Sequence, residues 1–422
     1  MEPESEDTHK IINFIQNSSL RTTIPPLKFS DKSRFFLSQL INVCKTEFQR
    51  SNMKKLPHTN PESRFIDAEY PFPKSASYGT VPKEIDLIIN YHNKYLHKAS
   101  VAIHGRTYNF NIILFPKRKS IQVLQKEAEQ IVDQACLWLR FGTKYAPQHC
   151  STVVDVFFYM TDHKKVLPKL SHDHIDMTHV NTAFTTSCAS NTEITLFRKE
   201  EWFKVFIHES FHNLGLDFSQ YPEPTAAANA KILAVFPINS DIKLYESYCE
   251  MWAEILNVMI RTIIKHPRTS AENMIAHIER DLQYERVYSL FQMAKLMNHF
   301  GINYSDLYQA SPKRGQYREK TAAFSYFVIK SLLMFNVDAF LEWCLANNSV
   351  SKNDGSNTQG SFAFKNPDTN CVKYAQDMVI TKFKRPDYVE TVDDVETSFF
   401  SPRMRVQNTK FIYENMRMSV FG

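Results

Sequence analysis

Glycine is scarce in this sequence, 9 of 422 residues, so the Gly-rich loops that cradle phosphate groups are absent. No stretch approaches the ~18–20 uninterrupted apolar residues of a membrane span. The N-terminus, MEPESEDTHK, has neither the basic region nor the apolar run of a signal peptide. The seven cysteines (Cys44, Cys136, Cys150, Cys188, Cys249, Cys344 and Cys371) are scattered, odd in number and never paired as CxxC. That usage excludes a disulfide-stapled miniature and predicts buried thiols in a reducing compartment. Charge of one sign is also lacking: 50 Lys and Arg against 45 Asp and Glu leave +5 with no long basic block. Neither nucleic acid nor an anionic membrane is expected as a partner. The expected setting is soluble and intracellular, in the cytoplasm or another reducing compartment.

What is abundant is phenylalanine, 32 residues, which predicts an aromatic core, and a length of 422 residues suggests two or three packed units. Residues 1–78 mix polar runs with prolines and are expected to form a partly ordered arm, with one short helix near Phe35–Val43. From Ala99 to Pro116 apolar and polar residues alternate about Gly105, as in a hairpin. Leu124, Ala128, Ile131, Ala135 and Leu139 then recur at helical spacing. Val153–Met160, Val180–Thr185 and Glu193–Phe197 read as strands of the same sheet. Beyond Lys199 the patterns are helical, over Glu200–Leu214, Ile242–Lys265, Ala271–His299 and Arg318–Cys344, with Thr269 and Glu272 as a capping box for the third. The fold class is therefore α+β: a mixed-sheet sub-domain at 79–199, a helical sub-domain at 200–350, and a polar loop and irregular tail at 351–422.

The segment EWFKVFIHESFHNLGLDF carries the chemistry. His208 and His212 stand four residues apart, so on a helix their imidazoles share one face, as two ligands of a tetrahedral zinc must. Glu209 lies beside them, where its carboxylate can act as general base towards the water that zinc acidifies. The flanking Trp202, Phe203, Val205, Phe206, Ile207 and Phe211 make the helix apolar nearly all round, hence buried, and Gly215 is placed to end it.

A second segment, LYESYCEMWAEIL, aligns Glu246, Glu250 and Glu254 at i, i+4 and i+8 among apolar neighbours. Like charges so placed repel, and burying them costs several kcal/mol unless a cation meets them. No Lys or Arg lies between Lys243 and Arg261, so a zinc ion with its imidazoles is the expected counter-charge.

HESFH followed by a helix with EMWAE resembles the zincin superfamily of metallopeptidases, specifically its gluzincin branch, over about residues 150–345. The wording RKEEWFKVFIHESFHNLGLDF is also similar to uncharacterised metallopeptidases of large DNA viruses, which allows packaging in a virion. The resemblance implies a zincin-like fold with the active-site helix between its halves, Zn2+ as cofactor and Glu250 as third ligand. Ala253 would let the helices approach, and Glu254 would orient a ligating histidine. A register one turn earlier makes Glu246 the ligand and Glu250 its neighbour. The metzincin pattern is broken, because Phe218 stands where a third histidine would be.

In zincins an edge strand holds the substrate, and VNTAFTTS at 180–187 is suitably placed to bind an extended peptide or protein. Tyr326 is the candidate oxyanion donor, with Tyr245, Tyr248 and Arg314 as rivals. His172, Asp173, His174, Asp176 and His179 have the composition of a second metal site or of a solvated loop. The expected function is zinc-dependent peptide hydrolysis. The alternative is a non-catalytic zincin-like binding or structural protein, such as a virion component. Oligomeric state is not legible.

Overall fold

The computed structural model describes residues 5–53, 59–66, 81–349, 359–400 and 410–422, and the chain divides into two units. Most of the loop expected at 351–361, and parts of the expected N-terminal arm and C-terminal tail, lie outside the described residues. The architecture is α+β with a mixed six-stranded sheet.

One unit comprises Leu40–Lys164 and Asn181–Gln220 and is built on that sheet. The strands are β1 Thr59–Ile66, β2 Lys94–Ile103, β3 Arg106–Leu114, β4 Val153–Tyr159, β5 Ala183–Thr185 and β6 Asn191–Leu196, in the order β1-β2-β3-β4-β6-β5. β2 and β3 are the expected hairpin. Ile103 pairs with Arg106, and the two-residue turn puts His104 and Gly105 at φ of 48° and 78°, matching the twist of the strands it joins. β3 and β4 pair in parallel, so a crossover must connect them. The Ile121–Gly142 helix supplies it, capped by Ser120 and burying the five residues named from periodicity. β4 and β6 are parallel, and β5 pairs antiparallel with β6 at the edge.

The Trp202–Asn213 helix belongs to this unit, which corrects the boundary expected at 199/200. A change from strand to helix pattern is not a change of unit when the helix buries its apolar side on the sheet. Phe206 meets Phe158 of β4 edge-on with ring centroids 5.2 Å apart, and Phe211 stacks on Trp138 at 6.1 Å. The expectation of seven free thiols is also corrected: Cys150 and Cys188 are joined by a disulfide, while the other five are buried thiols.

The other unit comprises Glu2–Gln39, Lys165–Val180 and Tyr221–Gly422, and its described elements are helical. Leu244–Lys265 and Ala271–His299 match expectation, except that Ser270, not Thr269, caps the latter by accepting from the Asn273 amide. The single helix expected over Arg318–Cys344 is broken. A π-helical turn at Phe324–Ile329 leads into Lys330–Phe335, and the chain bends by 90° before Val337–Asn348. Pro222–Val235 is a further helix, begun by proline at its first turn.

Both terminal expectations need correction. In place of an arm, the helices Glu6–Gln16, Leu20–Thr23 and Asp31–Met53 bury Ile11, Ile15, Leu20, Phe36 and Leu37. In place of an irregular tail, Pro367–Tyr374, Pro386–Phe400 and Lys410–Glu414 are helical, and Val420 and Phe421 are core residues. Apolar anchors spaced among polar residues suffice to dock such segments. No single helix among the described residues is long and apolar enough to cross a membrane.

Candidate metal centre

The helix bearing HESFH is buried along almost its whole length, with Trp202 and Glu209 as its two half-buried residues. Glu209 is thus the carboxylate on this helix with access to solvent. His208 and His212 are 4% and 8% exposed, and their Nε2 atoms converge to 3.2 Å. Zn–N bonds of about 2.0–2.1 Å in tetrahedral geometry place two imidazole nitrogens roughly 3.3 Å apart. The pair fits one ion.

The far side of His212 is organised by a residue that sequence reasoning missed. Its Nδ1 donates to Asp217 Oδ2. A carboxylate only accepts, so the proton sits on Nδ1 and Nε2 carries the lone pair a metal needs. Asp217 is held in turn by Ser219, whose hydroxyl and amide donate to Oδ1 at 2.8 and 3.2 Å. Burial pushes the Asp217 carboxyl up, but the His212 ring and the Ser219 donors outweigh it and hold the group below its ordinary range.

The local backbone explains how a residue five positions along returns to the histidine. Leu216 N–H bonds Phe211 C=O at 2.8 Å, Gly215 N–H bonds His212 C=O at 3.2 Å, and Gly215 sits at φ 65°. This is a Schellman cap, the stop expected at Gly215. An acidic residue just past a glycine cap was the available signal.

In the helical unit, the carboxylate stripe on Leu244–Lys265 meets its cation from another helix. Lys330 Nζ donates to Glu254 Oε1 and to Met418 C=O, and lies 3.7 Å from Glu250 Oε2. The stripe therefore has a counter-charge besides the expected zinc: the Lys330 ammonium on Glu254 and near Glu250. Lys330 is 76 residues away in sequence, beyond the reach of a local charge count. Glu285 completes the cluster by accepting from the Ser419 hydroxyl and the Val420 and Phe421 amides. Burial and the Glu254 charge push its carboxyl up to about 8.

Glu246, one turn earlier, is half-buried and accepts from the Tyr326 hydroxyl at 3.1 Å. Tyr326 stands on the π-helical turn, an irregularity frequent at functional sites. Two of its rivals have structural partners: Tyr248 donates to Phe362 C=O from the core, and Arg314 to Gln309 C=O. The run at 172–179 pairs internally, His179 with Asp176 at 2.8 Å. Among the described residues it brings no three potential ligand atoms together. A groove of about 940 Å³ in the sheet unit, lined by Phe65, Ile88, Tyr91 and His163, does not include the histidine pair.

Searches against protein-family models, curated proteins and solved structures found no match.

Proposed function

We propose that the protein is a zinc-dependent metallopeptidase in which His208, His212 and Glu246 hold the ion and Glu209 is the general base. The observation that carries this reading is the pair of Nε2 atoms 3.2 Å apart, one histidine fixed from behind by Asp217, with Glu209 on the same helix. A purely structural zinc would not need a general base. For the third ligand we favour Glu246 over Glu250, because Glu250 and Glu254 lie with the Lys330 ammonium whereas Glu246 meets a neutral hydroxyl.

When bound, zinc would lower the pKa of a water towards ~7 and polarise the scissile carbonyl. Asp217 keeps His212 in the tautomer that presents Nε2. Glu209 takes a proton from the attacking water and returns it to the leaving amine. β5, an edge strand, offers its free edge to an extended peptide by strand addition. The Tyr326 hydroxyl is the donor for the developing oxyanion.

The test is cleavage of a peptide library by wild type and Glu209→Gln, each loaded with zinc. Loss of general-base function predicts a fall of about 10²–10⁴-fold with zinc content unchanged. Equal cleavage by the two proteins would sink the mechanism. Bound zinc without cleavage of any peptide by wild type would move the protein to the binding or structural class.

A further inference from the structure

The Cys150–Cys188 disulfide joins the residue just before the β4 approach to the turn between β5 and β6, across 38 residues of sequence. It lies where three segments meet. Ser151 N–H donates to Ala189 C=O at 2.6 Å, the Ser151 hydroxyl donates to Asn213 C=O at 2.5 Å, and Thr192 donates to the Ser151 hydroxyl at 3.1 Å. Asn213, at the end of the HESFH helix, donates through Nδ2 to Thr186 C=O at 3.2 Å. A Cβ added at Gly215 would fall 2.9 Å from Cys150 Sγ and 3.4 Å from Cys188 Cβ. The disulfide is therefore packed against the cap of the helix that carries both histidines.

β5 is short, and its hold extends one residue either side of the strand, with Thr186 N–H to Glu193 C=O at 3.0 Å, Phe197 N–H to Thr182 C=O at 2.9 Å, and the Phe184 ring against Phe197. Three residues pair with β6, and Thr186, Ser187, Ala189 and Ser190 of the following turn are exposed. Short edge pairings of this kind open at low free energy, so a covalent tie in the exposed adjoining turn adds to the bonds that keep the edge formed.

We propose that Cys150 and Cys188 are a reversible dithiol–disulfide latch on the edge strand β5, closed by exchange with a disulfide oxidant, which leaves as its dithiol, and opened by a dithiol reductant. The peptide-binding consequence rests on the peptidase reading. Cys188 is half-buried and Cys150 is 1% exposed, so an incoming thiolate reaches Cys188 Sγ. The new S–S bond forms there, the Cys150–Cys188 bond breaks, and Cys150 leaves as a thiolate. His149 is exposed and has a ring nitrogen within 4.8 Å of both sulfurs, where it can protonate the leaving group. The reductant's second thiol then attacks the mixed disulfide, releasing the Cys188 thiol and an oxidised reductant. The five remaining cysteines are buried thiols, so exchange is directed to this pair.

The experiment compares protein purified without reductant, the same protein reduced by a phosphine, and the Cys150→Ser/Cys188→Ser variant. Alkylation after unfolding should count five thiols before reduction and seven after. Amide hydrogen exchange over 183–190 should quicken at least about tenfold on reduction and in the variant, with zinc content unchanged. KM for a cleaved peptide should rise several-fold with kcat little altered, and reoxidation should reverse the change. His149→Ala should slow reduction by a dithiol without altering exchange in the closed form. Seven thiols before reduction, or exchange over 183–190 indifferent to reduction, would overturn the latch. Exchange that responds while no peptide is cleaved in either state would refute the peptidase reading and leave the latch standing.

Discussion

At the scale of single residues, Asp217 bears most on the histidine pair without belonging to it. Its carboxylate decides which nitrogen of His212 carries the proton and fixes the ring plane, so its loss should be felt as metal affinity. Asp217→Ala is expected to weaken zinc binding roughly 10–100-fold, read by competition with a chromophoric chelator; unchanged affinity would remove Asp217 from the site. The convergence of His208 and His212 was legible in the sequence because a spacing of four puts both imidazoles on one helix face. Asp217 was not, because its role depends on the Schellman cap that turns the chain back after Leu214. The partner of Glu254 was hidden for another reason: Lys330 reaches it only after two helices have packed.

At the scale of elements, the carboxylate stripe of Leu244–Lys265 divides by turn. Its first turn carries Glu246 beside Tyr326, and its later turns carry Glu250 and Glu254 beside Lys330. Glu246→Gln should therefore lower zinc content with little effect on unfolding. Lys330→Met should leave buried carboxylates without their ammonium and cost about 3–5 kcal/mol of stability by denaturant titration. The reverse pattern would reassign the third ligand to Glu250. Elements with one clean period were legible in advance: the hairpin about His104–Gly105, the Ile121–Gly142 helix, and the long helices Leu244–Lys265 and Ala271–His299. Pro222–Val235 escaped notice because its alanine-rich run has no pronounced apolar stripe, burying only Thr225, Ala228 and Ile232. The break within 318–344 escaped because an apolar run has the same composition whether straight, π-helical or bent.

At the scale of the whole molecule, half-buried acids give the fold a pH signature separate from the metal. Burial pushes Glu319 up to about 7 against the donors Ser240, Tyr317 and Phe324, and pushes Glu396 up to about 8. Both start from an ordinary value of 4.5. Between there and 7 to 8 the native state holds protons that the unfolded chain releases, so their contribution is full below about 4.5 and is lost as pH rises through 7 to 8. Each group contributes at most about 1.4 kcal/mol per pH unit. Glu319→Gln should flatten the fall in unfolding midpoint between pH 5 and 7, and an unchanged slope would show that Glu319 ionises normally in the fold.

The most direct test of the central claim is the zinc bound per chain, by elemental mass spectrometry, in wild type and His212→Ala after zinc loading and removal of excess. About one tightly held zinc is expected in wild type, as three protein ligands support, and its loss is expected in His212→Ala with the fold retained by circular dichroism. Wild type that holds no zinc, or His212→Ala that holds as much as wild type, would contradict that claim.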